Sequence, residues 1–265
     1  MATKQWVRAQ KKEIDSWLNT DMTSKKLTDL WQKRKSDFAV LFKELKPKSA
    51  ILDVGSGPIS ALHIFPRTKC MVALDPLNDK YKTKYQRKPY IKYVSAQAEK
   101  LKFKDKAFDM ITCINALDHM ENHNNVLKEM IRCLKPGGII YLEYENTSPL
   151  SLLLARLGYK KPLNDFHPVL IQNSRLLKLF KSNHFTIITT KYKPQLSKEK
   201  ITGIISVILG KKKISSYEKK ISVINYGYSK AISHYLIISL ELLLFWINPS
   251  RFTYFTTLIV KKKKS

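Results

Sequence analysis

Short apolar runs alternate with a helical pattern through the middle of the chain, from Ser49 to about Asn146. Such runs, bounded by turn residues, are typical of buried strands. Asn124 to Leu134 places its apolar residues on one helical face, and Leu134 to Gly138 predicts the turn that stops this helix. The alternation predicts a parallel sheet with helices on both faces. The predicted strands are Ala50 to Val54, Met71 to Leu74, Ile91 to Ser95, Phe108 to Asn115 and Ile139 to Glu145.

The flanks of this region have other patterns. Before Lys48, apolar residues such as Trp6, Trp17 and Leu41 recur at helical spacing, which predicts helices. After Asn146, short helical patterns are followed by β-branched runs. The elements predicted there are helices at Leu150 to Leu157 and Ser174 to Phe180, and strands at Phe185 to Thr190 and Tyr254 to Val260.

Together these patterns predict an α/β fold with a seven-stranded, mostly parallel sheet. Residues 49–191 and 252–265 form its predicted core, residues 1–48 a helical N-terminal cap, and residues 192–251 a helical insertion before the last strand. The apolar stretch Tyr235 to Ile247 in the insertion is too short to span a bilayer. It predicts a core helix or a dimer contact, with a membrane-surface contact as the alternative.

A glycine turn with two nearby carboxylates is the main candidate for chemistry. The run Ile51 to Pro58 ends a strand in Asp53 and then places Gly55 and Gly57 one residue apart, where missing Cβ atoms let a ligand lie against the backbone. Asp75 follows the second strand, about 20 residues after Asp53, where a ribose diol is held in nucleotide-binding βαβ units. The spacing predicts a nucleotide-type ligand at this edge of the sheet.

Composition narrows the class of protein. The chain has 265 residues, 44% hydrophobic content and a net charge of +27. Lysines far outnumber arginines and spread along the whole chain, so compositional bias explains the charge most simply. An acidic partner (anionic lipid, acidic glycan or RNA) remains the alternative. Three widely spaced cysteines and an N-terminus without an apolar signal core predict a reducing compartment, the cytoplasm.

Four ordered segments between Ser49 and Glu145 resemble class I S-adenosylmethionine-dependent methyltransferases, in the type 11 or quinone-biosynthesis-like group of small-molecule enzymes. The resemblance implies a Rossmann-like sheet and S-adenosyl-L-methionine as cofactor. The sequence departs from the family pattern at Ile59 (commonly Gly), Gln97 (usually Asp) and Asp118 (usually Glu). The four segments are Ile51 to Pro58, Leu74-Asp75, Ala96 to Phe103, and Phe108 to His119 followed by Leu134 to Gly138.

The resemblance also implies a role for each matched residue. Gly55 and Gly57 would lie against the methionine and ribose portions of the cofactor, and Asp53 would orient its amino group. Asp75 would accept hydrogen bonds from the ribose hydroxyls, while Asn115 would offer a carbonyl near the methionine. Gln97 and Ala98 would border the adenine. The predicted cofactor-binding set is Asp53, Gly55, Ser56, Gly57, Asp75, Pro76, Gln97, Ala98 and Asn115.

A general base is needed only if the acceptor loses a proton. His119, after the fourth strand, and His167, in a predicted lid, are the candidates, although a turn-stabilising role for His119 stays open. The segment Asn115 to Asp118 lacks the Pro-Pro-aromatic turn of nucleobase N-methyltransferases, so nucleic acid is not the expected acceptor. A divalent-metal site of the catechol-methyltransferase type needs carboxylates at the ends of the fourth and fifth strands. Asn115 and Glu145-Asn146 match that requirement poorly, so we expect no metal dependence.

The sequence therefore predicts methyl transfer from S-adenosyl-L-methionine to a small molecule, saccharide or lipid-linked acceptor, at oxygen. The N-terminal pattern Trp6, Gln10, Glu13 and Trp17 resembles that of methyltransferases of surface-polysaccharide pathways. One alternative is an NAD(P)-dependent oxidoreductase, disfavoured because Ser60 stands where the dinucleotide fingerprint needs Gly or Ala. The other is a non-catalytic protein that presents a basic surface to RNA or anionic membrane. Peripheral membrane contact and the oligomeric state stay open.

Overall fold

The structure, a computed structural model, describes residues 3–146, 171–193 and 255–264. Its centre is a seven-stranded sheet of order β3-β2-β1-β4-β5-β7-β6. The first five strands of that order pair in parallel, while β7 is antiparallel to both of its neighbours. The strands are β1 Ala50–Val54, β2 Cys70–Leu74, β3 Lys92–Val94, β4 Phe108–Ile114, β5 Leu134–Glu145, β6 Phe185–Lys193 and β7 Phe255–Lys262.

Six α-helices accompany the sheet in the described part of the chain. Two of the N-terminal helices begin at threonine caps: Thr3 Oγ1 accepts from Trp6 N, and Thr23 Oγ1 accepts from Lys26 N. Such bonds satisfy backbone N–H groups that have no partner inside the helix. The helices are α1 Lys4–Asn19, α2 Ser24–Lys33, α3 Ala39–Glu44, α4 Asn78–Tyr81, α5 His123–Cys133 and α6 Asn173–Ser182.

The core lies on both faces of the sheet, because successive strand residues point in opposite directions. On β1, Leu52 packs with Val126 and Met130 of α5 on one face. On the other face, Ile51 packs with Phe38, just before α3, and with Leu41 in α3. The predicted sheet with helices on both faces is therefore confirmed.

The predicted elements differ from the structure mainly at their ends. The segment Leu134 to Gly138 was expected to be a turn, but β5 already begins at Leu134, which pairs with Phe108 across an irregular register. The helix predicted at Leu150 to Leu157 and nearly all of the insertion 192–251 lie outside the described residues. Within the described residues, no helix is long and apolar enough to cross a membrane.

Strand register decides which residues meet at the edge of the sheet. Val54, the last residue of β1, pairs with Leu74, the last residue of β2. The glycine turn after β1 and Asp75 after β2 are therefore neighbours at the same edge of the sheet. β4 ends at Ile114 on the other side of β1, and Asn115 N donates to Glu143 O on β5. The carboxyl ends of four strands thus form one platform, the usual ligand edge of such sheets.

Candidate functional site

The turn after β1 depends on glycine at two positions. Gly55 has φ +67° and Gly57 has φ +60°, in the region that L side chains rarely adopt. A Cβ atom at Gly55 would stand 2.3 Å from Ala116 Cβ, whereas one at Gly57 would meet no protein atom within 4 Å. Gly55 therefore allows close packing against the loop after β4, and Gly57 leaves open space on the cavity side.

Asp75 closes the same turn from β2. Its Oδ2 accepts from Gly57 N at 2.9 Å, and its Oδ1 accepts from Leu77 N at 2.9 Å. Burial raises its pKa to about 6, although the two backbone N–H donors act in the opposite direction. Each carboxylate oxygen retains a second lone pair, so Asp75 can still accept hydrogen bonds from a ligand's hydroxyl groups.

Asp53 lies beneath the turn and is not part of the cavity wall. Its Oδ1 accepts from Thr112 Oγ1 on β4, and its Oδ2 accepts from Ser60 Oγ, both at 2.6 Å. Burial raises its pKa to about 6. Ser60 Oγ also accepts from Leu62 N and so caps the short helical turn that follows. Asp53 therefore joins the glycine turn to β4 through two hydroxyls.

The turn opens into a cavity of about 470 Å³, within the usual range of small-molecule sites, roughly 300–1,000 Å³. The structure brings most of the predicted residues together on its wall, with Asp53 behind it. His167 lies outside the described residues. The predicted residues that line the cavity are Gly55, Ser56, Gly57, Asp75, Pro76, Gln97, Ala98, Asn115 and His119.

Helix α1 forms a second wall of the cavity, which none of the sequence motifs assigned to the site. Trp6, Gln10, Glu13 and Trp17 line the cavity, and their spacing places them on one helical face. That spacing was visible in the sequence. What the sequence lacked was a signal that this face covers the glycine turn rather than another part of the core.

Helix α2 completes the wall through an aromatic side chain and a buried ion pair. Trp31 Nε1 donates to Ile59 O at 2.8 Å. Arg34, just after α2, forms an ion pair with Glu143 on β5, and Tyr141 Oη donates to the same carboxylate. The side chain of Glu143 is only 7% exposed, so Arg34 supplies the opposite charge that compensates for its burial.

His119 stands on the cavity wall between two carboxylates. Its Nδ1 is 3.6 Å from Glu13 Oε2, and its Nε2 is 3.9 Å from Asp118 Oδ2. The first contact joins α1 to the loop after β4. Within the described residues, no three His, Cys, Asp or Glu side chains lie close enough together to hold a metal ion.

Two buried polar atoms indicate that the wall is built for a polar ligand. Within the described part of the chain, Ser56 Oγ and Gln10 Oε1 have no hydrogen-bond partner although both are buried. Buried polar atoms are normally satisfied, so both are suited to bind a ligand or water. Together with the open side of Gly57 and the carboxylate of Asp75, they fit a nucleoside with several polar groups.

Comparisons with known proteins agree with this geometry. Residues 52–142 match the family described as "Methyltransferase domain". The ubiquinone/menaquinone biosynthesis C-methyltransferase UbiE of Idiomarina loihiensis is 40% identical over 65 residues, 24% of this chain and 25% of that protein. The ubiquinone biosynthesis O-methyltransferase of Dechloromonas aromatica is 39% identical over 51 residues, 19% of this chain and 22% of that protein. The match thus spans about a quarter of these curated relatives.

Solved structures share the fold at low sequence identity. The YcgJ protein from Bacillus subtilis has a TM-score of 0.51 and 18% identity, with 87% of this chain and 99% of that chain covered. This structural similarity supports the fold alone. The match to the methyltransferase domain rests on the sequence of residues 52–142. Residues 52–142 of this chain therefore match the methyltransferase-domain family, and this similarity supports the expected relation to class I S-adenosylmethionine-dependent methyltransferases.

Proposed function

We propose that this chain transfers a methyl group from S-adenosyl-L-methionine, the cofactor of its family, to an oxygen atom of a small-molecule acceptor. The observation that carries the proposal is the position of Asp75. Its buried carboxylate lies 2.9 Å from the amide of Gly57 at the rim of the cavity. A carboxylate fixed beside a glycine turn is suited to hold a ribose diol.

In this proposal each part of the platform binds one part of the donor. The turn Gly55 to Gly57 lies against the methionine and ribose portions, with Ser56 Oγ as an additional polar contact. Gln97 and Ala98 border the base, and Asn115 lies near the methionine end. Pro76 lines the cavity beside Asp75, and Leu77 N donates to Asp75 Oδ1, which fixes that side chain.

The bound cofactor supplies a methyl group on a sulfonium, which is already a good leaving group. The work of the protein is then to align the acceptor atom and to exclude water. The aromatic side chains of Trp6, Trp17 and Trp31 on α1 and α2 suit both tasks. His119 is proposed to take the proton of an acceptor hydroxyl at the cavity wall. His167 is kept as a second candidate for this role.

A small molecule is the proposed acceptor because aromatic and apolar side chains of α1 and α2 contribute to the cavity wall, namely Trp6, Trp17, Leu27, Leu30 and Trp31. The relatives named above act, by their names, in quinone biosynthesis, one at carbon and one at oxygen. We extend the acceptor class to saccharide and lipid-linked intermediates. Free thiols at Cys70, Cys113 and Cys133 support a cytoplasmic location for the reaction.

Calorimetry with S-adenosylmethionine and S-adenosylhomocysteine tests donor binding directly. We expect micromolar binding of both, and a loss of at least about a hundredfold in Asp75→Ala. Asp79→Ala is the matched control, because Asp79 lies on α4 with its side chain 71% exposed. Absence of binding to the wild type, or equal losses in the two variants, would contradict the proposal. Methyl transfer from labelled donor to cell extract, followed by mass spectrometry, then identifies the acceptor.

A further inference from the structure

Glu13 on α1 is a carboxylate held inside the cavity by two neighbours. Its Oε1 accepts from Trp17 Nε1 at 2.6 Å, and its Oε2 is 3.6 Å from His119 Nδ1. The side chain is 25% exposed, so water screens its charge only in part. Gln10 Oε1, one turn earlier on the same face of α1, is buried without a hydrogen-bond partner among the described residues. This face of the helix therefore has polar groups directed at the cavity.

Helix α1 is fixed at both ends, which holds Glu13 in place. At its start, Thr3 N donates to Glu121 Oε1, in the loop after β4. At its end, Lys84 Nζ donates to three backbone carbonyls, including Trp17 O at 3.1 Å, and Tyr85 Oη donates to Trp17 O at 2.6 Å. The helix thus lies between the segment after β2 and the loop after β4. A carboxylate on such a helix acts on a bound ligand without first having to be brought into position.

The charge of this cavity wall differs in sign from that of the whole chain. The net charge of the chain is +27, yet the carboxylates of Glu13, Asp75 and Glu99 line the cavity. Glu13 and Asp75 are close enough that the charge of Glu13 contributes to the raised pKa of Asp75. Two cationic residues, Lys33 and Arg34, also line the cavity, so its three carboxylates outnumber its cations, and Arg34 is already paired with Glu143 and Asp37.

We propose that Glu13 makes the site prefer the cationic donor, S-adenosylmethionine, over the product, S-adenosylhomocysteine, whose sulfur is uncharged. This inference rests on the methyltransferase function proposed above. The donor carries a positive sulfonium, and loss of the methyl group leaves an uncharged thioether, so the two ligands differ by one positive charge. A carboxylate in a partly solvated cavity attracts that charge. Glu13 therefore strengthens donor binding and leaves the affinity for the product unchanged, which favours exchange of product for fresh donor.

Calorimetry on Glu13→Gln tests the proposal without knowledge of the acceptor. The amide removes the charge and keeps an oxygen that can accept from Trp17 Nε1. We expect S-adenosylmethionine to bind roughly five- to tenfold more weakly, and S-adenosylhomocysteine to bind as in the wild type. Sinefungin, which carries a protonated amine in place of the methylated sulfur, should lose affinity as the donor does. Asp15→Asn, the same charge change at an exposed position of α1, should leave all three affinities unaltered.

A second measurement uses the unaltered protein. Raising the salt concentration from about 0.05 to about 0.5 M should reduce the preference for the donor over the product, because salt screens the attraction. Equal changes for donor and product in Glu13→Gln, or a preference that does not respond to salt, would overturn the role of Glu13 while donor binding itself stands. A wild-type protein that binds neither ligand would overturn the proposed function together with this inference.

Discussion

Replacing Gly55 by alanine and, separately, Gly57 by alanine distinguishes the packing role of the turn from its binding role. Both residues have positive φ, so each alanine costs about 1–2 kcal/mol of backbone strain. Only at Gly55 does the new methyl group collide, 2.3 Å from Ala116 Cβ and 3.7 Å from Ala116 Cα. Because Ala116 belongs to the loop after β4 and is buried, that loop must move.

The expected magnitudes follow from these contacts. Overpacking of a buried site adds about 1–3 kcal/mol, so Gly55→Ala should lower the free energy of unfolding by about 2–5 kcal/mol. Gly57→Ala should lower it by only about 1–2 kcal/mol. The methyl group at Gly57 meets no protein atom but faces the cavity, so this variant should fold and bind S-adenosylmethionine roughly tenfold or more weakly.

Urea denaturation followed by circular dichroism gives the unfolding free energies, and calorimetry gives the donor affinity. The two variants serve as controls for each other, since the backbone strain is common to both. Similar stability losses in the two variants would refute the packing role of Gly55. Unchanged donor affinity in Gly57→Ala would refute the placement of the ligand against this turn.

Two further predictions concern buried charges. Burial raises the pKa of Asp53 and Asp75 from 3.8 to about 6, so the folded protein binds more protons than the unfolded chain between these values. Their contribution to the free energy of unfolding must therefore fall as the pH rises from about 4 to about 6. In Asp53→Asn, the fall in the free energy of unfolding between about pH 4 and about pH 6 should be smaller by about 2–3 kcal/mol, as measured by urea denaturation at several pH values. An unchanged fall would contradict the raised pKa of Asp53. Arg34→Met should cost about 3–5 kcal/mol because it leaves Glu143 buried without its cation, and adding Glu143→Gln should recover part of that loss in the same assay. If the stability losses of the two single substitutions simply add in the double variant, Arg34 and Glu143 do not stabilise each other.

Local sequence patterns were sufficient for the strands and for the positions of the polar residues at their ends. Short apolar or β-branched runs bounded by turn residues predict strands, and all seven predicted strands are present. The glycine turn and Asp75 could be placed at one edge because the ends of neighbouring parallel strands meet there. In contrast, the start of β5 at Leu134 could not be predicted. A Pro-Gly-Gly sequence indicates a turn, while pairing with Phe108 extends the strand through it.

The sequence by itself determined the glycine turn, the carboxylate beside it and the helical spacing of Trp6, Gln10, Glu13 and Trp17, because these depend on local geometry and strand order. Only the tertiary structure decided that this helical face covers the glycine turn, that Asp53 turns to Ser60 and Thr112 instead of the cavity, and that Arg34 meets Glu143. These contacts join residues far apart in the chain. Their free energy depends on burial and on the directions of side chains, which no local pattern encodes.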